Sequence, residues 1–484
     1  MKCRIVVSLL TVILLTTLLS SCLVGPNYAR PHVQAPPAFR GAEGAAQQAS
    51  FADLPWWDVF KDQTLTTLVQ TALKNNYDLN VAVRRVDQAR EIVAEARSQY
   101  FPAFDYGARL TAGRNQFQFS PSSNTFNSQG FLAALVTASW EADIWGRLRR
   151  SNEAARAQYL STEEARRGVM LTVASEVSQT YLQLLGLKLQ LSIARETARA
   201  FGESRKLFEQ RLEGGVSSQL PVSRAVADEA TANAQIPELE RQIALTENGI
   251  NVLLGRNPDA IEATSNLLSE IVPPEIPAGL PSALLERRPD VLSAEQNVHF
   301  ASAQIGVATA AFFPQIGLTA FLGKISTPLS DITAGYTNAW SVGTTLTGPI
   351  FEGGRLKAQK RQAVAAWQQA TLQYQQTALN AFQDVSNALV SREKYEAIRT
   401  EQSRAVEANQ TAVQVSLKRY MQGLSSYYEV LVAQEQLYPT QSALAQTELN
   451  RRLIVVQLYK ALGGGWNLTD PQWTQPPAAS QSKP

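Results

Sequence analysis

Apolar positions recur along this chain with two periods. Four segments alternate residue by residue. In the first, Phe104, Tyr106, Ala108, Leu110 and Ala112 share one face and Asp105, Arg109 and Thr111 the other. In the second, Leu132, Ala134, Val136, Ala138, Trp140 and Ala142 oppose Thr137, Ser139, Glu141 and Asp143. The third sets Ile316, Leu318, Ala320 and Leu322 against Thr319, and the fourth sets Trp340, Val342 and Leu346 against Ser341, Thr345 and Thr347. Period two predicts strands with one apolar face. About ten alternating residues with a polar loop at one end is the pattern of a transmembrane β-barrel strand. Open sheet edges are not tolerated in lipid, so four such strands require other chains to complete them. Two copies would give eight strands, a barrel filled by its own side chains, whereas three would give twelve and leave room for a conduit.

The second period is helical. Leu148 to Leu212 and Leu356 to Met421 contain no proline, and each predicts a helix on the order of 100 Å long. A heptad seam in the second carries Val364, Trp367, Thr371, Tyr374, Ala378, Ala381, Val385 and Ala388, an Ala-rich pattern suited to a wide curved wall of helices. Gly215 and Gly423 stop these helices, and Ser217-Ser218 and Ser425-Ser426 are expected to N-cap helices running back, about Val222 to Leu254 and Tyr428 to Leu462. Upstream of each strand pair, a helix of about thirty residues, roughly Thr64 to Ser98 and Ser282 to Ala311, ends at the aromatic-proline steps Phe101-Pro102 and Phe313-Pro314. The two shorter helices of each set, stacked end to end, would match the long one, giving four helical columns per chain.

Those parallels are one duplication. Tyr100-Phe101-Pro102 matches Phe312-Phe313-Pro314 at an offset of 212, and RLEGGVSSQLPVSRA (211–225) matches RYMQGLSSYYEVLVA (419–433) at an offset of 208. A repeat of roughly 200 residues is a duplicated domain rather than a solenoid. The expected order is a signal peptide over 1–21 and an extended linker over 22–62. A first repeat follows over 63–258, with its hairpin at about 103–143 and tip at about 213–220. A second covers 275–466, with hairpin at about 315–349 and tip at about 421–428, and 467–484 form a flexible tail. The fold class is mainly α with a small β part: a long helical barrel plus four strands per chain.

Composition removes several function classes. Among 484 residues, 44 Lys and Arg stand against 42 Asp and Glu, with no basic run, so nucleic acid has no electrostatic footprint. His32 and His299 are far apart, the Gly-rich EGGR and LGGGW lack a following Lys-Ser/Thr, and no carboxylate pair sits in a recognisable frame. No enzymatic activity, cofactor or metal is expected.

The N-terminus carries an address. Lys2 and Arg4 precede an apolar run from Ile5 to Leu19, then Leu19-Ser20-Ser21-Cys22, a secretory signal too short to span a membrane as a helix. Cys22 at the cut resembles the lipobox of bacterial lipoproteins, which implies cleavage before Cys22 and acylation there. Cys3 lies in the removed segment, so no thiol remains for a disulfide. Leu23 rather than Asp after the cysteine implies delivery to the outer membrane.

Further motifs follow in order: Val24-Gly25-Pro26-Asn27-Tyr28-Ala29-Arg30-Pro31, Trp56-Trp57 with Phe60 and Leu65, Asn76-Tyr77-Asp78-Leu79, Arg287-Arg288-Pro289-Asp290, Phe313-Pro314 and Pro349-Ile350-Phe351-Glu352-Gly353-Gly354-Arg355. Together they resemble the outer-membrane factor (TolC-like) family in its lipoprotein NodT/OprM-type branch, over about residues 22–466. The resemblance implies a homotrimer with a 12-stranded barrel in outer-membrane lipid and a helical barrel across the periplasm. It also implies partners, a periplasmic adaptor (membrane fusion protein) and an inner-membrane efflux pump of RND type, for which the chain is a passive exit duct for drugs or other small molecules. The adaptor-docking tips then fall on Gly215, Val216, Ser217 and Ser218 and on Gly423, Leu424, Ser425 and Ser426. Where the family often carries an Asp and an Arg after the second tip, this chain has Val432 and Glu435, and Tyr427, Tyr428, Glu429 and Glu435 become the candidate periplasmic gate. Two rival readings stay open at this level: a duct for type I protein secretion, and a periplasmic coiled-coil lipoprotein acting as tether or adaptor.

Overall fold

A computed structural model describes residues 23–42, 50–56, 62–114, 128–263, 266–269, 277–326, 333–465, 467–469 and 472–473. The expected signal peptide, Cys22, Trp57, Phe60 and most of the C-terminal tail lie outside the described residues. Twelve main elements follow in order among them: α1 (Gln63–Asn75), α2 (Tyr77–Ser98), β1 (Ala103–Arg114), β2 (Ser128–Ala142), α3 (Arg147–Glu213), α4 (Gln219–Leu253), α5 (Pro281–Arg287), α6 (Pro289–Ala310), β3 (Gln315–Ser326), β4 (Asn338–Thr347), α7 (Arg355–Met421) and α8 (Tyr427–Ala461). The long helices α3 and α7 have 67 residues each and the returning helices α4 and α8 have 35 each.

One expectation is corrected in both repeats. The helices read as continuous from Thr64 to Ser98 and from Ser282 to Ala311 are each broken in two. At Asn76 the backbone leaves the helix (φ −58°, ψ 130°), and its Oδ1 accepts from Leu79 N at 3.0 Å while its Nδ2 donates to the Leu253 carbonyl at 2.9 Å. Asn76 thus caps a new helix instead of continuing the old one. At Arg288 (ψ 122°) the following Pro289 excludes the helical conformation of the residue before it.

The chain divides into two compact units. The first comprises residues 1–32, 85–163 and 293–374. It holds one antiparallel sheet in the order β1-β2-β3-β4, with Ala103 opposite Ser139, Ala142 opposite Ile316 and Gln315 opposite Thr347. Even-numbered residues pair with even-numbered residues throughout, so Phe104, Tyr106, Val136, Trp140, Leu322 and Trp340 share one face, all exposed. The segment from Leu23 to Pro31 is strapped onto this unit. Val24 N donates to the Trp145 carbonyl, and the fully buried Arg150 guanidinium donates to Val24 O, Gly25 O, Asn27 Oδ1 and Glu153 Oε2. Such a buried charge is retained because its donors are met. His299 stacks on Tyr28 at 4.4 Å and meets Glu153 Oε1 at 3.0 Å.

The second unit comprises residues 33–84, 164–292 and 375–484. Tyr181, Leu184 and Leu185 of α3 form part of its dry interior, with the Tyr181 hydroxyl donating to Asp62 Oδ2, a carboxylate that also caps α1. On α7 the seam residues Tyr374 (the last residue of the first unit), Ala378, Ala381, Val385 and Ala388 are buried, whereas Val364, Trp367 and Thr371 are half-buried. The two returning helices differ. α8 buries Val430, Leu431, Leu449, Ile454, Val455 and Leu458 among others, while α4 buries only Val222, Ala225, Ala232, Leu239, Ile250 and Asn251 and leaves Leu220, Val226, Leu245 and Val252 exposed.

Candidate functional site: the two helical tips

Both long helices end in the same way. Gly215 N donates to Leu212 O and Val216 N to Arg211 O; Gly423 N donates to Tyr420 O and Leu424 N to Arg419 O. This double bond pattern requires a left-handed residue at the turn, which Gly215 (φ 69°) and Gly423 (φ 75°) supply without a Cβ clash. The serines that follow are corrected in role. Ser218 and Ser426 occupy the N-cap positions in extended conformation, but neither side chain makes a capping hydrogen bond, and the Ser425 hydroxyl is buried without a partner among the described residues. The left-handed conformation of the turn is supplied by glycine. Val216 and Leu424 are exposed at the two apices, about two thirds of each reaching solvent, with Ser217 and Ser425 half-buried beside them.

Below the apices the two tips share one apolar core. Phe208, Val222 and Ala225 from the first repeat pack with Tyr420, Tyr427, Val430 and Leu431 from the second. The Phe208 ring lies 4.0 Å from Tyr427 and 5.6 Å from Tyr420, edge to face, the geometry favoured by ring quadrupoles. The Arg211 guanidinium caps the Tyr420 face at 4.7 Å. One turn deeper, Ser204 and the Gln434 amide hydrogen-bond each other.

The four candidate gate residues therefore separate. Tyr427 is 9% exposed and is a core residue of the tips, while its neighbour Tyr428 is 62% exposed. Glu429 lies on the surface 3.7 Å from Arg419. Glu435 lines a cavity of about 240 Å³ with Asp228, Thr231, Gln235, Tyr438 and Pro439. Pro439 lacks the N–H that would bond the Glu435 carbonyl, so α8 is weakened where it borders this cavity. Asp228 Oδ2 is buried without a hydrogen-bond partner among the described residues. Burial, then the adjacent Glu435 charge, push the Asp228 carboxyl above its ordinary range, with Arg224 partly offsetting them. Its own burial, then the charges of Asp228 and Glu435, push the Tyr427 phenol up to about 12.

Sequence reasoning missed Phe208, Tyr420 and Asp228. Phe208 and Tyr420 stand within two turns of the glycine stops, and an aromatic so close to a helix end is the one signal that was available. Nothing local links Asp228 to Glu435, which is 207 residues further on.

The family model for the outer membrane efflux protein matches residues 68–256 and 280–464. The chain belongs to the outer membrane efflux protein family. This efflux protein is similar to the toluene efflux pump outer membrane protein TtgC of Pseudomonas putida, 34% identical over 468 residues that cover 95% of this chain and 96% of that one. It is similar to the probable outer membrane lipoprotein SilC of Salmonella typhimurium, 32% identical with 93% and 97% covered. Among solved structures, the outer-membrane channel OprN superposes with a TM-score of 0.85 at 31% identity, covering 92% of this chain and all of that one. The exposed apolar face of the sheet therefore belongs to a chain whose relatives are outer-membrane proteins. Among the described residues no helix is long and apolar enough to cross a membrane.

Proposed function

We propose that this efflux protein is the exit duct of a tripartite system: a homotrimer whose twelve strands close a barrel in the outer membrane and whose helical tips meet a periplasmic adaptor coupled to an inner-membrane pump of RND type. The sheet carries the reading. Its lipid-type face is complete, but β1 and β4 are open edges, and each unpaired amide in hydrocarbon costs several kcal/mol. The unfinished apolar flank of α4 supports the same ring of copies, because it is one of the two returning helices and only its twin is covered within the chain. TtgC is named for toluene and SilC as a lipoprotein, so small-molecule export and acylation of Cys22 are carried to this chain as part of the proposal.

In this reading Val216 and Leu424, with their glycines and serines, are the docking apices. Tyr428, Glu429 and Glu435 reach solvent at the mouth and set its aperture and charge, whereas Tyr427 acts by holding the tips together. The channel performs no chemistry; the pump supplies energy and substrate selection. Production with its adaptor and pump in a host lacking its own outer-membrane duct tests the proposal. Restored export that disappears when Val216 and Leu424 are both replaced by Asp is the expected result. Export retained in that variant, with normal amounts of trimer, removes the tips from docking.

A further inference from the structure

We infer that neighbouring copies join β4 to β1 in one defined antiparallel register, Thr345 opposite Arg109, and that Ile350 and Phe351 of one copy close over Phe104 and Phe101 of the next. The inference rests on the ring of copies proposed above and specifies its seam.

The duplication provides the template. The pair Ala103↔Ser139 of the first hairpin becomes Gln315↔Thr347 of the second when the leading strand moves by 212 residues and the trailing strand by 208. These are the offsets of the sequence repeat itself, so the two hairpins are equivalent residue for residue. The β2·β3 seam is where a first-repeat hairpin meets a second-repeat hairpin. A closed ring also needs the reverse seam, second repeat to first. Moving β2 forward by 208 and β3 back by 212 converts Thr137↔Phe321 into Thr345↔Arg109, Ala138↔Ala320 into Leu346↔Ala108, and Ala142↔Ile316 into Ile350↔Phe104. The transferred register keeps even-numbered apolar residues on one face, and it gives every repeat-to-repeat seam the same stagger, the condition for a regular barrel.

Side chains at the base of the strands fit this seam independently. Within the chain, Phe313 is covered by Trp145, whose ring stacks on it at 4.6 Å and whose Nε1 donates to Pro314 O at 2.8 Å. The first-repeat equivalent, Phe101, is 64% exposed. The second-repeat equivalent of Trp145 is Gly353, which has no ring to offer. Two residues earlier stands Phe351, 87% exposed, at the position where the first repeat has Asp143 capping α3 through Leu148 N and Arg149 N. Ile350 beside it is fully exposed, as is most of Phe104. Two apolar residues left exposed among the described residues face, across the transferred seam, two aromatic residues that are themselves largely exposed. The occupant is a second copy of this chain.

Paired cysteines test the register in the full-length lipoprotein, since Cys3 and Cys22 are its only cysteines and neither survives as a free thiol once the leader is cut and the anchor attached. Thr345→Cys with Arg109→Cys should give interchain links about tenfold more efficiently than Thr345→Cys with Gly107→Cys or Thr111→Cys, because opposite positions lie about 5 Å apart and diagonal ones about 7–8 Å. Links that peak at Gly107 or Thr111, or an intact oligomer that links at none of the three, overturn the register and leave the ring standing. Detergent-extracted protein that runs as a monomer overturns the ring itself. Phe351→Ala leaves the strands untouched and should lower the temperature at which the oligomer dissociates; an unchanged temperature overturns the aromatic closure.

Discussion

The returning helices α4 and α8 have the same length and the same place in their repeats, yet α8 is buried along much of its length while α4 keeps a dry flank on one side only. Leu245 of α4 is 56% exposed; its repeat partner Leu453 is half-buried. Equal sequence patterns have met unequal surroundings. A second-repeat helix finds its neighbours within the chain, whereas on the proposed ring a first-repeat helix would find one of them in another copy. The unequal burial is what a duplicated chain must show when its repeats form a ring larger than itself.

The largest effect is expected where the repeats meet inside the chain. Phe208 is fully buried between Tyr420 and Tyr427, so Phe208→Ala should cost about 3–5 kcal/mol and expose both tips to protease. Limited proteolysis reads this directly, and unchanged cleavage at 211–225 and 419–433 would mean the shared core does not hold the tips. Next comes the unfinished flank. Leu245→Asp places a charge on a surface that the ring desolvates, at a cost of several kcal/mol per seam, so the oligomer should fall apart while the helical content of each chain stays. Leu453→Asp should instead damage the chain's own packing. If both variants act alike, the contrast between the repeats is not an assembly effect.

Much of this was legible in the sequence. Alternation at Phe104, Tyr106 and Leu110 marked the apolar face of the sheet because a strand repeats every two residues and needs no partner to show it. Gly215 and Gly423 marked the tips because a left-handed turn is a local demand. The breaks at Asn76 and Arg288 were partly visible, since Pro289 restricts its predecessor whatever the tertiary structure. Burial of Tyr427 but not Tyr428 was hidden. Adjacent residues on a helix of this kind differ only in which neighbour they meet, and that neighbour, Phe208, is 219 positions away. The meeting of Asp228 with Glu435 was hidden for the same reason.

That meeting sets a pH dependence that differs between the repeats. Asp228 titrates above its ordinary range in the folded tips, so over that interval the folded chain binds more protons than the unfolded one. Tip stability then falls as pH rises through the interval and is greatest below it. The groups facing the pair are Arg224 from α4 and Tyr427 and Tyr438 from α8. Asp228→Asn should flatten the acid-side change in tip proteolysis, whereas Asp290→Asn, at an ion pair with Arg288 in the same unit, should not. An unaltered profile in Asp228→Asn would remove the carboxylate pair from tip stability.

The smallest stability effect belongs to Arg419 and Glu429. The pair spans the end of α7 and the start of α8 at 3.7 Å, with both side chains about half exposed. Exposed pairs at this separation contribute about 0–1 kcal/mol and are screened by salt. Glu429→Ala should therefore leave tip proteolysis nearly unchanged. Conductance is a separate readout, because three copies of one exposed carboxylate around a narrow opening act on ions through the summed field rather than through folding. Reduced cation preference in single-channel records, with proteolysis unmoved, assigns Glu429 to the mouth. Equal conductance and selectivity in Glu429→Ala and Glu435→Ala trimers would leave the aperture to the apolar apices and Tyr428, and would make the two repeats equivalent at the mouth despite their unequal burial.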